Sequence, residues 1–359
     1  MTEKKIDMQK RIRQEKLINI FSPVVGAAVG LILGSLFILS QGVNPLHAYY
    51  FLIQGAFVGV DSWANTLLNM IPLGLTGLAV ALSYKAGVFN IGAEGQMYLG
   101  AIAATIVGTR FSGLPMVLHI GLVMILAAAF GGAFAFLPGY LKAYRGINEI
   151  VVTMLLNYVA VYFLSLLVQG PLREAGTFYP RSERLLDSAI LPFFPGTYLH
   201  IGVLVVLVFA VVMFWVFQKT TTGFNIEASG YNPRALEYAG INVKMLITKT
   251  MVASGAIAGI AGAVEIMGVH RRLIENFSVG LGYDAIAVAL LANLNPLGVL
   301  VSATFFGGLR AGANTMQINT GIPVYFVLMV QAFVILFVVA FQSGPRIWKL
   351  IKRRVAQNG

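Results

Sequence analysis

Cysteine is missing from all 359 residues, which excludes disulfides and thiolate metal sites and leaves the redox compartment unmarked. Charge is scarce as well. Asp, Glu, Lys and Arg make up 11% of the chain, against roughly a quarter in soluble domains, so a soluble domain is excluded. Histidine occurs four times, with no His-Glu-x-x-His pair to hold a catalytic metal and no Gly-x-Ser-x-Gly elbow for a hydrolase. A Gly-x-x-x-x-Gly-Lys-Ser/Thr loop is also absent, so the chain does not bind and split ATP by that route. These gaps give hydrolase and ATPase chemistry no support, and no enzyme activity, cofactor or metal is expected.

Apolar length is abundant instead. Hydrophobic residues are 58% of the chain, mean hydropathy is +0.80, and runs of about twenty apolar residues recur, the length a helix needs to cross a bilayer. The runs are continuous and lack the dyad pattern of a membrane β-barrel. The expectation is an all-α polytopic membrane protein in the plasma membrane, with lipid as its surroundings.

A basic arm, 1–17, leads into a first span at about 18–40. That span is longer than a signal-peptide core and has no small-x-small cleavage site after it. Leu46 to Val60 is short for a crossing and is placed on the outer face or half-inserted. Further spans are expected near 64–84, 89–109, 115–138, 148–169, 198–218 and 246–268. Beyond them lie two short apolar segments, Asp284 to Leu294 and Leu297 to Ala313, broken at Asn295-Pro296. Ile322 to Phe341 is the last crossing. This gives about eight full spans plus one broken or re-entrant pair, or ten by a looser count, within a transmembrane domain 18–342 followed by a basic tail, 343–359. Backbone broken at membrane depth has to face protein or a water-filled cavity.

The net charge of +11 records orientation and needs no nucleic acid to explain it. With the termini inside, six basic residues fall in the arm and Lys85 follows. Lys142 and Arg145, four in 219–249 and five in the tail bring the cytoplasmic share to 18 of 25. The four histidines fall at outer ends of spans, and Trp63, Trp215 and Trp348 near interfaces, where amphipathic rings anchor helices.

Polar chemistry within the spans is confined to a few places. Asn90, Glu94 and Gln96, among three glycines, occupy what should be opening turns of a helix. Asn90 can cap that helix and Glu94 suits its positive end, and both roles are compatible with lining a translocation path. Glu149, Thr153 and Asn157 are spaced four apart on one helical face. Glu265 lies in a span rich in Gly, Ala and Ser, built for close packing. With no acidic relay and no arginine ladder, a path lined by Asn90, Glu94, Gln96, Thr153, Asn157, Glu265 and Asn295 suits a neutral, hydrogen-bonding solute. The longest polar stretch, 219–249, carries marks of order. Asn232-Pro233 can start a helix, Arg234 to Tyr238 can form it, and Gly240 can stop it. Leu236 and Ala239 would share an apolar face offered to a cytoplasmic partner.

Three stretches resemble the permease subunits of ATP-driven ABC importers for ribose, branched-chain amino acids and nucleosides. They are Lys85-Ala-Gly-Val-Phe-Asn-Ile-Gly-Ala-Glu-Gly-Gln-Met97; Ala228-Ser-Gly-Tyr-Asn-Pro-Arg-Ala-Leu-Glu-Tyr-Ala-Gly-Ile241; and Gly282 to Leu291 with Asn295-Pro-Leu-Gly298. The first is most similar to the nucleoside-uptake branch. The resemblance implies the ABC importer permease fold and inward transport by alternating access, of nucleosides or alternatively a simple sugar. It also implies a separate ABC ATPase, an extracytoplasmic substrate-binding protein and a second homologous permease chain, often a different one. In this family Asn232, Pro233, Arg234, Leu236, Glu237, Ala239 and Gly240 would form the coupling helix that docks on the ATPase. Ala292, Asn293 and Leu294 depart from the family's usual glycine and basic residue before Asn295-Pro296, and Leu236 from its usual alanine. An ion-coupled secondary transporter, a channel and a scaffold are the other classes the residues allow.

Overall fold

The computed structural model describes residues 25–26, 28–337 and 340. The arm 1–17, the opening of the first span, Trp348 and the tail 343–359 lie outside the described residues. Within them run α1 (Ala28–Ser40), α2 (Pro45–Phe57), α3 (Val60–Lys85), α4 (Ala93–Arg110), α5 (Met116–Arg145), α6 (Glu149–Gln169) and α7 (Gly202–Lys219). Then come α8 (Thr221–Tyr231), α9 (Pro233–Tyr238), α10 (Val243–Glu265), α11 (Leu281–Leu291), α12 (Pro296–Thr320) and α13 (Tyr325–Phe337). Six of these helices (α3, α5, α6, α7, α10 with its π-helical end, and α12) are long and apolar enough to cross a membrane, and the bent α1–α2 pair would make a seventh.

α2 is short, as its sequence predicts, and folds back from α1 by 116°. Gly42 takes a left-handed φ of 75° in the turn, and the Asn44 side chain caps α2 by accepting from the Leu46 N–H, with Pro45 in the first turn.

α4 is the axis of the bundle. Fourteen of its 18 residues are buried, so it has no lipid face and needs no amphipathic stripe. That also explains why Glu94 and Gln96 are tolerated there. Small residues bring α4, α5 and α10 into backbone contact. A Cβ on Gly131 would lie 2.8 Å from the Gly259 Cα, and one on Gly262 would lie 3.0 Å from the Ala101 N. Lipid gives helices no hydrophobic reason to associate, so close packing of this kind supplies the cohesion. Outside this centre, α5, α6 and α7 carry exposed apolar side chains such as Ile125, Leu155 and Val208.

The two helices around Asn295-Pro296 both lean on α3, since a Cβ on Gly77 would lie 3.0 Å from Val288 and from Val299. The turn between them puts Asn293 and Leu294 in left-handed conformations, φ 49° and 59°. Arg310 on α12, which the charge pattern leaves on neither side, donates to Asp284 of α11 at 2.6 Å. Gln331 of α13 reaches the same oxygen at 2.9 Å. An ion pair shared by three helices holds their mutual register.

Two histidines differ from their expected interfacial places. His119 is fully buried, with Nδ1 2.8 Å from the Ser188 hydroxyl and Nε2 3.2 Å from the Val107 carbonyl. His200 is buried against Gly268, its Nδ1 accepting from the Gly202 N–H. Both stitch the loop 170–201 onto the bundle. That loop has one 3-10 turn, Asp187–Ala189, and three isolated bridges, and it buries Leu185, Ala189 and Leu191.

Candidate translocation site

The polar run after α3 enters the protein instead of lining a surface. Asn90 is fully buried, and all of its capacity is used. Its amide donates to the Gln96 Oε1 and the Ser254 hydroxyl, both at 2.8 Å, and its carbonyl accepts from Gln96 Nε2 at 2.9 Å and the Gly92 N–H at 3.1 Å. Ser254 in turn donates to the Ala79 carbonyl at 2.6 Å. The knot ties α3, α4 and α10 together. A satisfied buried network of this kind specifies one arrangement, so Asn90 and Gln96 fix where α4 sits and spend their hydrogen bonds inside the protein.

Glu94 and Asn157 stand at a cavity of about 480 Å³ between α4, α6 and the start of α11. Asn157 lies eight residues into α6, about 12 Å from its Glu149 end. It accepts from the Gly95 N–H at 2.9 Å and donates to the Ile91 carbonyl at 3.0 Å and the Tyr283 hydroxyl at 3.1 Å. Glu94 accepts from the Gly282 N–H at 2.6 Å, capping the N-terminus of α11 from another helix. Thr153 is buried beside Gly92, its hydroxyl donating back to the Glu149 carbonyl at 2.7 Å. Glu149 is buried too, held by Lys142 at 2.8 Å and the Phe89 N–H at 3.3 Å.

The far wall of the cavity is not helical. Residues 276–280 carry Asn276, Val279 and Gly280 with φ of 53°, 45° and 81°. A β-branched residue at positive φ is strained, and such strain persists where the surroundings enforce it and clusters at ligand sites. Irregular backbone midway along a helical bundle is tolerated where it lines a cavity. Nothing in the composition of this segment marks it as a wall. Its one local signal is the spacing of Asn276, Ser278 and Gly280 between two apolar runs. Also unforeseen are the aromatic residues around the opening, Tyr158, Tyr162 and Tyr283.

Glu265 and Asn295 are elsewhere. Glu265 lies at the far end of α10, with His270 Nε2 at 3.4 Å. Asn295 caps α12, its side chain accepting from the Leu297 and Gly298 N–H groups at 3.0 and 3.2 Å. Neither lines the cavity. Among the described residues no group of three metal-ligating side chains is assembled.

The 219–249 stretch is ordered as its signals predict. Asn232 caps α9 through the Ala235 N–H, Pro233 occupies the first turn, and Gly240 follows with φ 80°. Asn232, Pro233, Arg234, Glu237, Ala239 and Gly240 are exposed. Leu236 and Ala239 do not share a face, however. Leu236 turns into the protein and is 5% exposed, while Ala239 stands at the helix end. Tyr231 and Tyr238, at 90% and 92% exposure, present the apolar surface. α8, unexpected as a helix, lies against the chain that leads to the cavity. Glu227 pairs with Lys85, whose ammonium also lies 4.5 Å from the centre of the Phe217 ring. A Cβ on Gly230 would lie 3.1 Å from the Gly87 N. Lys85 and Gly87 open the segment that leads through Asn90 to Glu94, so α8 is joined to the cavity by a short path of packed backbone.

Residues 62–339 match the family described as the permease component of branched-chain amino acid transport systems. A guanosine ABC transporter permease protein of Bacillus subtilis is 37% identical over 95% of this chain and 99% of its own length. A nucleoside ABC transporter permease protein of Lactococcus lactis is 34% identical over 90% of this chain and 91% of its own. A glucose ABC transporter permease protein of Haloferax volcanii is 33% identical over 90% and 88%. In each of the first two bacteria a second permease also matches, at 26% identity. No solved structure matches.

Proposed function

Since this chain belongs to the family of branched-chain amino acid transport permeases, we propose that it is the membrane permease of an ATP-driven importer of nucleosides. The observation that carries the reading is the nearly end-to-end likeness to the guanosine permease. The chain is a transport subunit and no enzyme, and ATP hydrolysis sits on a separate subunit. A permease of this family works with an ABC ATPase and a substrate-binding protein.

Several finer points belong to the same reading. The α8–α9 end faces the cytoplasm with both termini, as the basic residues favour. Crossings are then α1, α3, α4, α5, α6, α7, α10, α12 and α13, with the short α11 as the return before the Asn295-Pro296 break; α12, at 25 residues, is longer than the short segment expected there. The partner permease is a second, different homologous chain, which the paired permeases of the two bacteria support. Nucleotide-driven movement of α8 and α9 passes through Gly230, Gly87 and the Asn90 knot to Glu94, and alternately opens the cavity.

Co-expression with its ATPase, binding protein and second permease in a nucleoside-uptake-deficient bacterium tests this. Labelled guanosine should enter and the uptake should cease on ATP depletion. Glucose uptake with no nucleoside uptake would favour the sugar reading that the Haloferax relative represents. Uptake persisting on an ion gradient without ATP would remove the importer reading altogether.

A further inference from the structure

We infer that the cavity recognises the base of its substrate, through an aromatic wall formed by Tyr158 and Tyr162 of α6 and Tyr283 of α11. The inference rests on the nucleoside reading above and adds which part of the molecule the permease grips.

Tyr158 and Tyr162 are one turn apart on the same face of α6 and line the cavity, at 55% and 71% exposure. They sit near the middle of a 21-residue helix. Tyrosine in a membrane protein favours the interface, where its hydroxyl meets water. A phenol facing hydrocarbon at mid-depth would leave its O–H without a partner, at a cost of several kcal/mol by order of magnitude. Neither Tyr158 nor Tyr162 has a hydrogen-bond partner among the described residues. The two tyrosines stand on the exposed side of α6, which also carries Leu155 and Leu166, and where they border the cavity that side meets water or a solute.

The third tyrosine is held differently. The Tyr283 hydroxyl accepts from Asn157, which fixes its ring at the first turn of α11 beside the strained backbone at Val279 and Gly280. None of the three rings is stacked on another aromatic ring among the described residues, and all three are exposed along the cavity. Ser165 lies beside them on α6, and Glu94 and Asn276 line the cavity from other segments. Exposed aromatic rings next to a few convergent polar groups fit a planar heterocycle with a hydrogen-bonding edge. A free sugar would meet these rings only through its C–H groups. A volume of about 480 Å³ is within the range of small-ligand pockets.

Photolabelling and uptake together test the inference on the full importer complex. The complex is illuminated with 8-azidoguanosine, and adducts are mapped by mass spectrometry. Adducts on the α6 and α11 peptides should be suppressed by guanosine and unaffected by free ribose. Tyr158→Leu and Tyr162→Leu should each lower guanosine uptake about tenfold, the scale of one lost stacking platform. Tyr158→Phe and Tyr162→Phe, which keep the ring, should retain most of it at equal expression and equal basal ATP hydrolysis. Suppression of the adducts by ribose, or equal losses in the Leu and Phe variants, would overturn base recognition. So would absence of adducts from these peptides in a complex that takes up guanosine. A wild-type complex that takes up no nucleoside at all would instead overturn the reading beneath it.

Discussion

Gly230→Leu is expected to abolish ATP-driven uptake while leaving the bundle assembled. Any side chain at Gly230 would drive into the Lys85 carbonyl and lie close to the Gly87 N. Backbone cannot yield there as a flexible side-chain tip would, so α8 must lift off the turn that leads into α4. The bundle centre at Gly131, Gly259 and Gly262 is untouched, and insertion should be normal. A milder version isolates the connection. Glu227→Lys sets two ammonium groups against each other where Glu227 now meets Lys85. Uptake should fall about tenfold, on the scale of 1.4 kcal/mol of coupling. The double exchange Lys85→Glu with Glu227→Lys should recover at least about half of it, since the pair is partly exposed and neither charge becomes buried and unpaired. Uptake measured at matched membrane levels decides the outcome. Normal transport by Gly230→Leu would mean that α8 carries no force to the cavity.

Glu94→Ala is expected to be as severe for a different reason. It removes the acceptor that meets the Gly282 N–H at 2.6 Å and leaves the buried start of α11 uncapped. A buried donor left unsatisfied costs about 1–3 kcal/mol, and here it would be spent where the irregular wall 276–280 joins α11. Guanosine uptake should drop at least about tenfold. Glu94→Gln keeps an acceptor oxygen and should retain a larger share. ATP hydrolysis by the assembled complex should persist in both, because α9 packs on α8 and α10. Equal uptake in wild type and Glu94→Ala would show that this cap does not shape the path.

Much of the architecture is legible in the residues. Turn and cap chemistry marks α9 through Asn232, Pro233 and Gly240. The break at Asn295-Pro296 is marked in the same way. Apolar length locates most spans. α8 was not legible, because Gly223 and Gly230 argue against a helix when read locally. Their reason is tertiary, since both let α8 approach neighbouring backbone. The cavity was only half legible. Glu94 and Asn157 stand out as polar groups in apolar runs, but polarity alone does not separate them from Asn90 and Gln96, which spend their hydrogen bonds on each other. The wall at 276–280 and the tyrosines of α6 carry no such mark. Aromatic residues are common in these spans, and only the fold shows which of them face an opening.

The central claim is that Asn232 to Gly240 is a cytoplasmic handle gripped by a separate motor. The chain contains no cysteine, so Tyr238→Cys, at a position 92% exposed, would carry its only thiol. A membrane-impermeant maleimide should label it in inside-out vesicles and leave it untouched in right-side-out ones. Adding the ATPase subunit should then protect it. Labelling from the outer face, or labelling indifferent to the ATPase, would contradict the account.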